Sequence, residues 1–220
     1  MRAALAIVFG AVALGLSSGA MARSSEKPRQ SFNPSDVAAA RAAVLQRGDL
    51  GTAGGWSGGT RKPNLSSGMS CAGYTPKQSD LVLTGAAEAV WHHAGLEVQS
   101  VAQVMKTRGM VALDWRRTVT SPKAVSCLRT MLARTLPSGQ RLASFSRLSF
   151  PRLTPYAEAF RALIDVSAGG QHALVVADVV VVGKSRTELT LSVEAPAAAR
   201  SGLPAAEARL AKLLLARVRA

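Results

Sequence analysis

The sequence has few of the residues from which catalytic and metal sites are usually built. Its 220 residues include two cysteines, three histidines and thirteen Asp or Glu, and aromatic residues make up 5% of the chain. No C-x-x-C pair, H-E-x-x-H pattern or phosphate-binding glycine loop occurs. We therefore predict no catalytic residue, no metal site and no cofactor. Hydrophobic residues account for 48% of the chain, which excludes a disordered protein and is sufficient for a sizeable core.

The first 22 residues have the pattern of a secretory signal. Arg2 precedes an apolar run over residues 3–16, and Ala20-Met21-Ala22 fits an A-x-A cleavage site. This run is too short to span about 30 Å of hydrocarbon comfortably, and no cysteine before Cys71 is present to carry a lipid anchor. We predict a signal peptide at 1–22, no transmembrane segment in the mature chain, and a location outside the cytoplasm, either secreted or in the cell envelope.

Positive charge exceeds negative charge in the mature chain. Lys and Arg number 27 in the full sequence, and the chain after residue 22 has a net charge of +13. The excess is concentrated in residues 101–161. Two interpretations remain open: a surface for anionic lipid headgroups or wall polymers, or a solvated face of an Arg-rich protein. We expect no nucleic acid partner, because the chain is exported and the basic region lacks the interleaved aromatic residues of a single-strand platform.

Cys71 and Cys127 are the only thiols, and export places them where disulfides persist. We predict a bridge between them, which would contribute about 4 kcal/mol by the chain-entropy model. A metal site is the weaker alternative, because neither cysteine has a C-x-x-C partner or a nearby histidine. A cysteine nucleophile is also disfavoured, since an oxidised pair offers no thiolate.

The spacing of apolar residues predicts a single α+β domain over 33–220, after a flexible polar arm at 23–32. The expected fold is an antiparallel sheet with helices packed against it. We expect Gly169-Gly170 and Gly183-Lys184 to form hairpin turns. The predicted helices cover 35–48, 107–119, 121–135 and 204–218, with Leu128, Met131 and Leu132 as the buried stripe of the third. The predicted strands cover 81–91, 96–105, 141–148, 157–166, 172–182 and 187–193.

The order of these elements resembles a known group of exported domains. An N-terminal helix ending near Asp49, a Gly-rich stretch with Trp56, two cysteines, a valine-rich strand and a closing helix occur in that order. The pattern over about residues 33 to 220 resembles the actinobacterial PknH-like extracellular sensor domain and the mycobacterial envelope lipoproteins of PsbP-like fold. That resemblance implies a cleft suited to binding rather than catalysis. The sequence departs from the group in having one possible disulfide, no kinase domain and no lipid anchor.

Five residues are candidates for binding a ligand, and they comprise three aromatic side chains and two cations: Trp56, Trp91, Trp115, Arg116 and Arg117. Core packing is the alternative role for Trp91 and Trp115. A zinc site from His92 or His93 with His172 and Asp114 is a weak alternative. Asp114 and Asp178 could form a carboxylate pair, but pairing with an arginine such as Arg116 or Arg186 is more usual.

These observations favour an exported, non-enzymatic binding or sensor-like domain of the cell envelope. An envelope lipid, a wall fragment or a protein is the expected partner. Two alternatives remain open: a secreted hydrolase whose active site is dispersed in the sequence, and a basic surface protein held to anionic envelope polymers.

Overall fold

Eight strands of one sheet and four α-helices make up the described part of the chain, residues 27–52, 54–65 and 68–219 of a computed structural model. The predicted signal peptide lies outside the described residues. The strands are β1 (Arg29–Gln30), β2 (Ser57–Arg61), β3 (Val82–His93), β4 (Leu96–Met105), β5 (Gln140–Leu148), β6 (Tyr156–Ala168), β7 (Gln171–Lys184) and β8 (Thr187–Pro196). The helices are α1 (Pro34–Ala43), α2 (Arg108–Trp115), α3 (Pro122–Thr135) and α4 (Leu203–Arg217). The predicted single α+β domain is confirmed.

The strand order is β1-β3-β4-β8-β7-β6-β5, and β2 also pairs with β3. Every pairing is antiparallel except the short parallel one between β1 and β3. Within the predicted arm, Arg29 and Gln30 form β1 and pair with the start of β3. The turn after β7 lies at Ser185 and Arg186, because the ladder with β8 continues to Lys184. The predicted turn at Gly183-Lys184 was therefore two residues early.

The two faces of the sheet differ in what covers them. The first face packs against α1 and α4 and forms the main core, in which small and branched aliphatic residues such as Ala102, Val180 and Leu191 are buried. The second face packs against α2 and α3, where Val111 and Trp115 are the buried anchors. Successive strand residues point to opposite faces. The alternation along β4 and β8 therefore decides which side chains meet each pair of helices.

Helix α1 is shorter than its sequence pattern predicts. Asn33 caps it by accepting a hydrogen bond from the Asp36 backbone N–H at 2.9 Å. The helix ends at Ala43 rather than near Gly48 because the next residues bond to the sheet: the Leu45 N–H donates to Ser100 Oγ at 2.8 Å. Gly85 of β3 lets α1 approach the sheet closely, since a Cβ there would lie 2.3 Å from the Asp36 backbone.

Helix α3 is only partly buried. Its fully buried residues are Ala124 and Cys127, whereas the predicted stripe of Leu128, Met131 and Leu132 is half-buried. The reason is that α3 is held at its middle by the disulfide and lies over the outer strands of the sheet, with few contacts to β5. The predicted helix over 107–119 also ends early, because the chain widens into one π-helical turn at Arg116–Thr120.

Candidate functional site

The second face of the sheet is polar across its central strands. Strand β4 presents Glu97 and Gln99 there, and the adjacent β8 presents Ser192 and Glu194. All four side chains are half-buried, between α3 on one side and the β2 edge on the other. We call these four residues the polar trough. Such a row is unusual beneath packed helices, because a covered sheet face is normally apolar.

A carboxylate with several hydrogen bonds closes one side of the trough. Glu88 of β3 is buried and accepts from Arg61 Nε at 2.5 Å and from Gln99 Nε2 at 2.6 Å. The Asn64 backbone N–H also donates to it, at 3.1 Å. These bonds satisfy the buried charge. Glu88 therefore fixes Gln99 and joins the β2 edge to the trough.

Glu97 and Glu194 form the acidic end of the trough, and they lie opposite each other on β4 and β8. Burial, followed by the charge of Glu97, raises the pKa of Glu194 to about 7. Glu97 also contacts His92 Nδ1 at 3.2 Å. The described residues provide Glu194 with no ion pair and no hydrogen bond. The Glu194 carboxyl group therefore gains or loses its proton near neutral pH.

A second pair of carboxyl groups lies towards α2. Burial raises the pKa of both Asp114 and Glu188, and the charge of Asp114 raises that of Glu188 further. Gln78 Nε2 donates to Asp114 Oδ1 at 3.0 Å. A protonated Glu188 can donate to Asp114, so this pair is satisfied within the protein. It has the character of a structural link between α2 and β8.

An apolar cavity adjoins the acidic end, between α3 and the sheet. Its closed space is about 50 Å³, and Glu97, Gln99, Ser192 and Glu194 line its polar side. Six side chains form the apolar wall: Leu132, Leu136, Phe145, Phe160, Ala162 and Ile164. The cavity thus joins an apolar space to two carboxyl groups, an arrangement that suits an amphiphilic molecule.

The structure does not bring the five predicted binding residues together. Trp91 belongs to the first-face core, where its indole N–H donates to the Leu45 carbonyl at 3.3 Å, and Trp56 packs against the same core and stacks on His93. Trp115 lies on the second face, buried beside Tyr156.

The two predicted cations have separate positions. Arg116 is exposed in the π-helical turn. Arg117 forms a two-point ion pair with Asp80, at 2.8 and 3.1 Å, and also donates to the Lys77 carbonyl. Arg117 therefore ties the turn to the loop before β3.

The residues weighed for catalysis or zinc are also dispersed. Asp178 lies on the first face with Arg161, whereas Asp114 lies on the second, so they form no pair. Within the described ranges, no cluster of three His, Cys, Asp or Glu could hold a metal ion. Gly55-Trp56-Ser57-Gly58-Gly59 fits a G-x-S-x-G pattern, but Ser57 begins β2 and pairs with His92. A nucleophile elbow requires a strand-to-helix turn at the serine, so the pattern has no such role.

The predicted disulfide between Cys71 and Cys127 is confirmed. It joins the segment before β3 to the middle of α3, and it is compatible with an oxidising, extracytoplasmic location. None of the helices in the described ranges is long and apolar enough to cross a membrane.

Sequence reasoning missed Glu97, Gln99, Ser192 and Glu194. Their period-two spacing is visible in β4 and β8, but that spacing is also typical of a solvated outer face. Only the fold shows that α3 and a cavity lie above them.

No protein-family model matches this chain, and no curated protein matches it in sequence. Among solved structures, an uncharacterised protein of Mycobacterium smegmatis, the Rv0999 ortholog, is 13% identical with a TM-score of 0.45, over 84% of this chain and 98% of that one. LpqN of Mycobacterium tuberculosis, which is involved in cell envelope biogenesis, is 13% identical with a TM-score of 0.32, over 77% of this chain and 86% of that one. The expected resemblance to PknH-like and PsbP-like proteins is not shown by these comparisons and stays a prediction.

Proposed function

We propose that this chain is an exported, non-enzymatic binding domain of the cell envelope, whose ligand is an amphiphile with an amine in its head group. The predicted signal peptide and the disulfide support the location. One observation carries the ligand class: an apolar cavity opens beside Glu97 and Glu194, and Glu194 has no cationic partner among the described residues.

The acidic end selects the head group. Two carboxyl groups side by side in a half-buried site disfavour each other's charge, and they repel an anionic head. A bound ammonium group supplies the missing positive charge and donates hydrogen bonds to both carboxylates. Binding of an amine therefore favours the ionised form of Glu194.

The apolar part of the ligand requires space that the closed cavity does not have. A volume of about 50 Å³ is little more than that of one water molecule. Helix α3 can provide the space, because the disulfide anchors it at Cys127, while Leu132 in its C-terminal half and Leu136 just after it lie over the cavity. A shift of that half enlarges the cavity without breaking the main core on the first face.

Titration calorimetry with dodecylamine and dodecanoate, both below micelle-forming concentrations, tests the proposal. These probes share one alkyl chain and differ in charge. Dodecylamine is expected to bind more tightly than dodecanoate at pH 6 and at pH 8. Its affinity is expected to rise by up to about tenfold from pH 6 to pH 8, because Glu194 ionises over this range while an alkylamine stays protonated. Equal binding of the two probes contradicts the proposal.

Two pairs of variants locate the site. Glu194→Gln is expected to remove the pH dependence, whereas Glu158→Gln, on the same face but beside Arg147, is expected to keep it. Ala177→Leu fills the cavity and is expected to abolish binding, whereas Ala173→Leu lies on the same face of β7 outside the lining. Thermal melts confirm that each variant is folded. Unchanged dodecylamine binding in Ala177→Leu would place the ligand elsewhere.

The second candidate function is a hydrolase, and the Glu97 and Glu194 pair favours it. A carboxyl group with a pKa near 7 beside an ionised carboxylate is a combination that glycoside hydrolases use. Turnover of neutral nitrophenyl glycosides, lost in both Glu97→Gln and Glu194→Gln, would establish this activity. Absence of turnover together with dodecylamine binding supports the binding domain.

A further inference from the structure

The chain between Trp115 and Ala157 contains eight Lys or Arg and no Asp or Glu. Helix α3 lies in the middle of this segment. Lys123, Arg129 and Arg134 are exposed on α3, and we call these three residues the cationic surface. Ser126 and Ala133 are the exposed residues between them, and neither is large or negatively charged.

The cationic surface is not neutralised within the described part of the molecule. Acidic side chains elsewhere pair with other arginines, as in Arg186 with Asp36 at 2.7 Å and Arg217 with Asp49 at 2.5 Å. The described residues offer no carboxylate to Lys123, Arg129 or Arg134. Helix α3 thus presents three exposed positive charges, with no acid nearby in the sequence.

We infer that the cationic surface of α3 docks on an anionic phospholipid bilayer. The three cations span about 16 Å along the helix, at 1.5 Å per residue, so they can contact several headgroups at once. The apolar residues of α3 face the protein: Val125 packs on the Trp115 and Phe160 cluster, and Leu132 lines the cavity. The outer side of the helix therefore offers cations and small residues. Such a side suits the plane of an anionic bilayer, where each Lys or Arg near the surface contributes about 1 kcal/mol.

Docking and ligand binding are separate claims about opposite sides of one helix. The inner side of α3 lines the cavity, and its outer side carries the cations. Failure of dodecylamine to bind the trough leaves the docking inference unaffected, and the reverse also holds.

Co-sedimentation with vesicles tests the docking. Wild-type mature protein is expected to bind vesicles of equal parts phosphatidylglycerol and phosphatidylcholine and not to bind vesicles of pure phosphatidylcholine. High salt is expected to release it, because screening weakens the interactions of exposed charges. The triple variant Lys123→Gln, Arg129→Gln, Arg134→Gln is expected to partition about a hundredfold less, at roughly fivefold for each lost cation near the surface.

A matched control removes the same charge elsewhere. Three exposed cations lie outside α3: Arg41, Lys62 and Arg209. The triple variant Arg41→Gln, Lys62→Gln, Arg209→Gln is expected to retain most of the binding. An equal loss in both triple variants would show that net charge alone attracts the protein, and would overturn the inference. No binding of the wild type to the anionic vesicles would also overturn it.

Quenching by brominated lipids separates a bilayer from a soluble polymer. A tryptophan introduced by Ser126→Trp, on the exposed side of α3, is expected to be quenched by brominated phosphatidylglycerol vesicles. Ser201→Trp, before α4, is the control and is expected to keep its fluorescence. Full competition by soluble polyphosphate with no quenching at position 126 would assign the surface to an anionic polymer instead.

Discussion

Glu207 of α4 is expected to make the protein less stable as the pH rises from 5 to 8. It is 1% exposed on the first face, next to Asp178, which is also 1% exposed and is paired with Arg161. Neither carboxyl oxygen of Glu207 has a hydrogen-bond partner when both groups are ionised. Only a neutral Glu207 can donate to Asp178. Burial, followed by the charge of Asp178, raises the pKa of Glu207 to about 8.

The size of the effect follows from the two ends of the titration. The unfolded chain loses this proton near pH 4.5 and the folded chain near pH 8. Between these values the folded state holds one more proton than the unfolded state, so stability falls by about 1.4 kcal/mol per pH unit. The full interval corresponds to about 5 kcal/mol, and the part below pH 7 to about 3 kcal/mol.

The variant Glu207→Gln isolates this contribution, because the amide keeps the shape and the donor but has no proton to lose. Urea unfolding at pH 4.5, 6, 7 and 8 gives the free energy of unfolding of both proteins. We expect similar stability at pH 4.5, and an advantage of the variant that grows with pH to several kcal/mol at pH 8. Glu158→Gln, on a half-buried carboxylate of the second face, should show no such growth. A difference between Glu207→Gln and wild type that does not change with pH would refute the reasoning.

Three further changes have definite expected outcomes. Cys71→Ser should lower the free energy of unfolding by about 4 kcal/mol, measured by urea titration, and should leave Cys127 open to alkylation; unchanged stability would contradict the role of the bridge. Gly85→Ala should lower the melting temperature by many degrees, because the added Cβ meets the α1 backbone. Gly48→Ala, with open space around the residue, should change the melting temperature little. Equal melting temperatures of the two variants would contradict the close contact. Asp36→Asn breaks the ion pair with the arginine after β7, which holds the pKa of Asp36 far below its usual range. Its cost should be fully present at neutral pH, decrease as the pH falls below about 4, where the unfolded chain takes up the proton, and disappear only when the folded chain is protonated as well; a cost equal at pH 7 and pH 2 would oppose this.

The alternating strands and the amphipathic closing helix made the α+β fold predictable. Leu189, Leu191 and Val193 on β8 indicated a buried face, and they do lie in the main core. The disulfide was predictable because the sequence has only two cysteines and the predicted export favours their oxidation. The fold follows from local periodicity and the disulfide from the number of cysteines, and both can be read from a single sequence.

Boundaries and the site depended on long-range contacts. Helix α1 ends early because Leu45 bonds to Ser100, a residue far away in the sequence. The tryptophans and arginines stood out by residue type, but the fold assigns Trp91 to the core and Arg117 to an ion pair. The trough arises because β4 and β8 are neighbours in space and not in sequence. No local pattern shows that pairing.

The central claim is that the cavity beside Glu97 and Glu194 holds an amine-bearing amphiphile. Native mass spectrometry of the protein purified gently from the cells that produce it, compared with its denatured mass, tests this claim most directly. We predict extra mass that is lost on denaturation, is absent from Ala177→Leu prepared in the same way, and belongs to a molecule with a basic nitrogen. A bare wild-type protein at its sequence mass, or equal extra mass on Ala177→Leu, would contradict it.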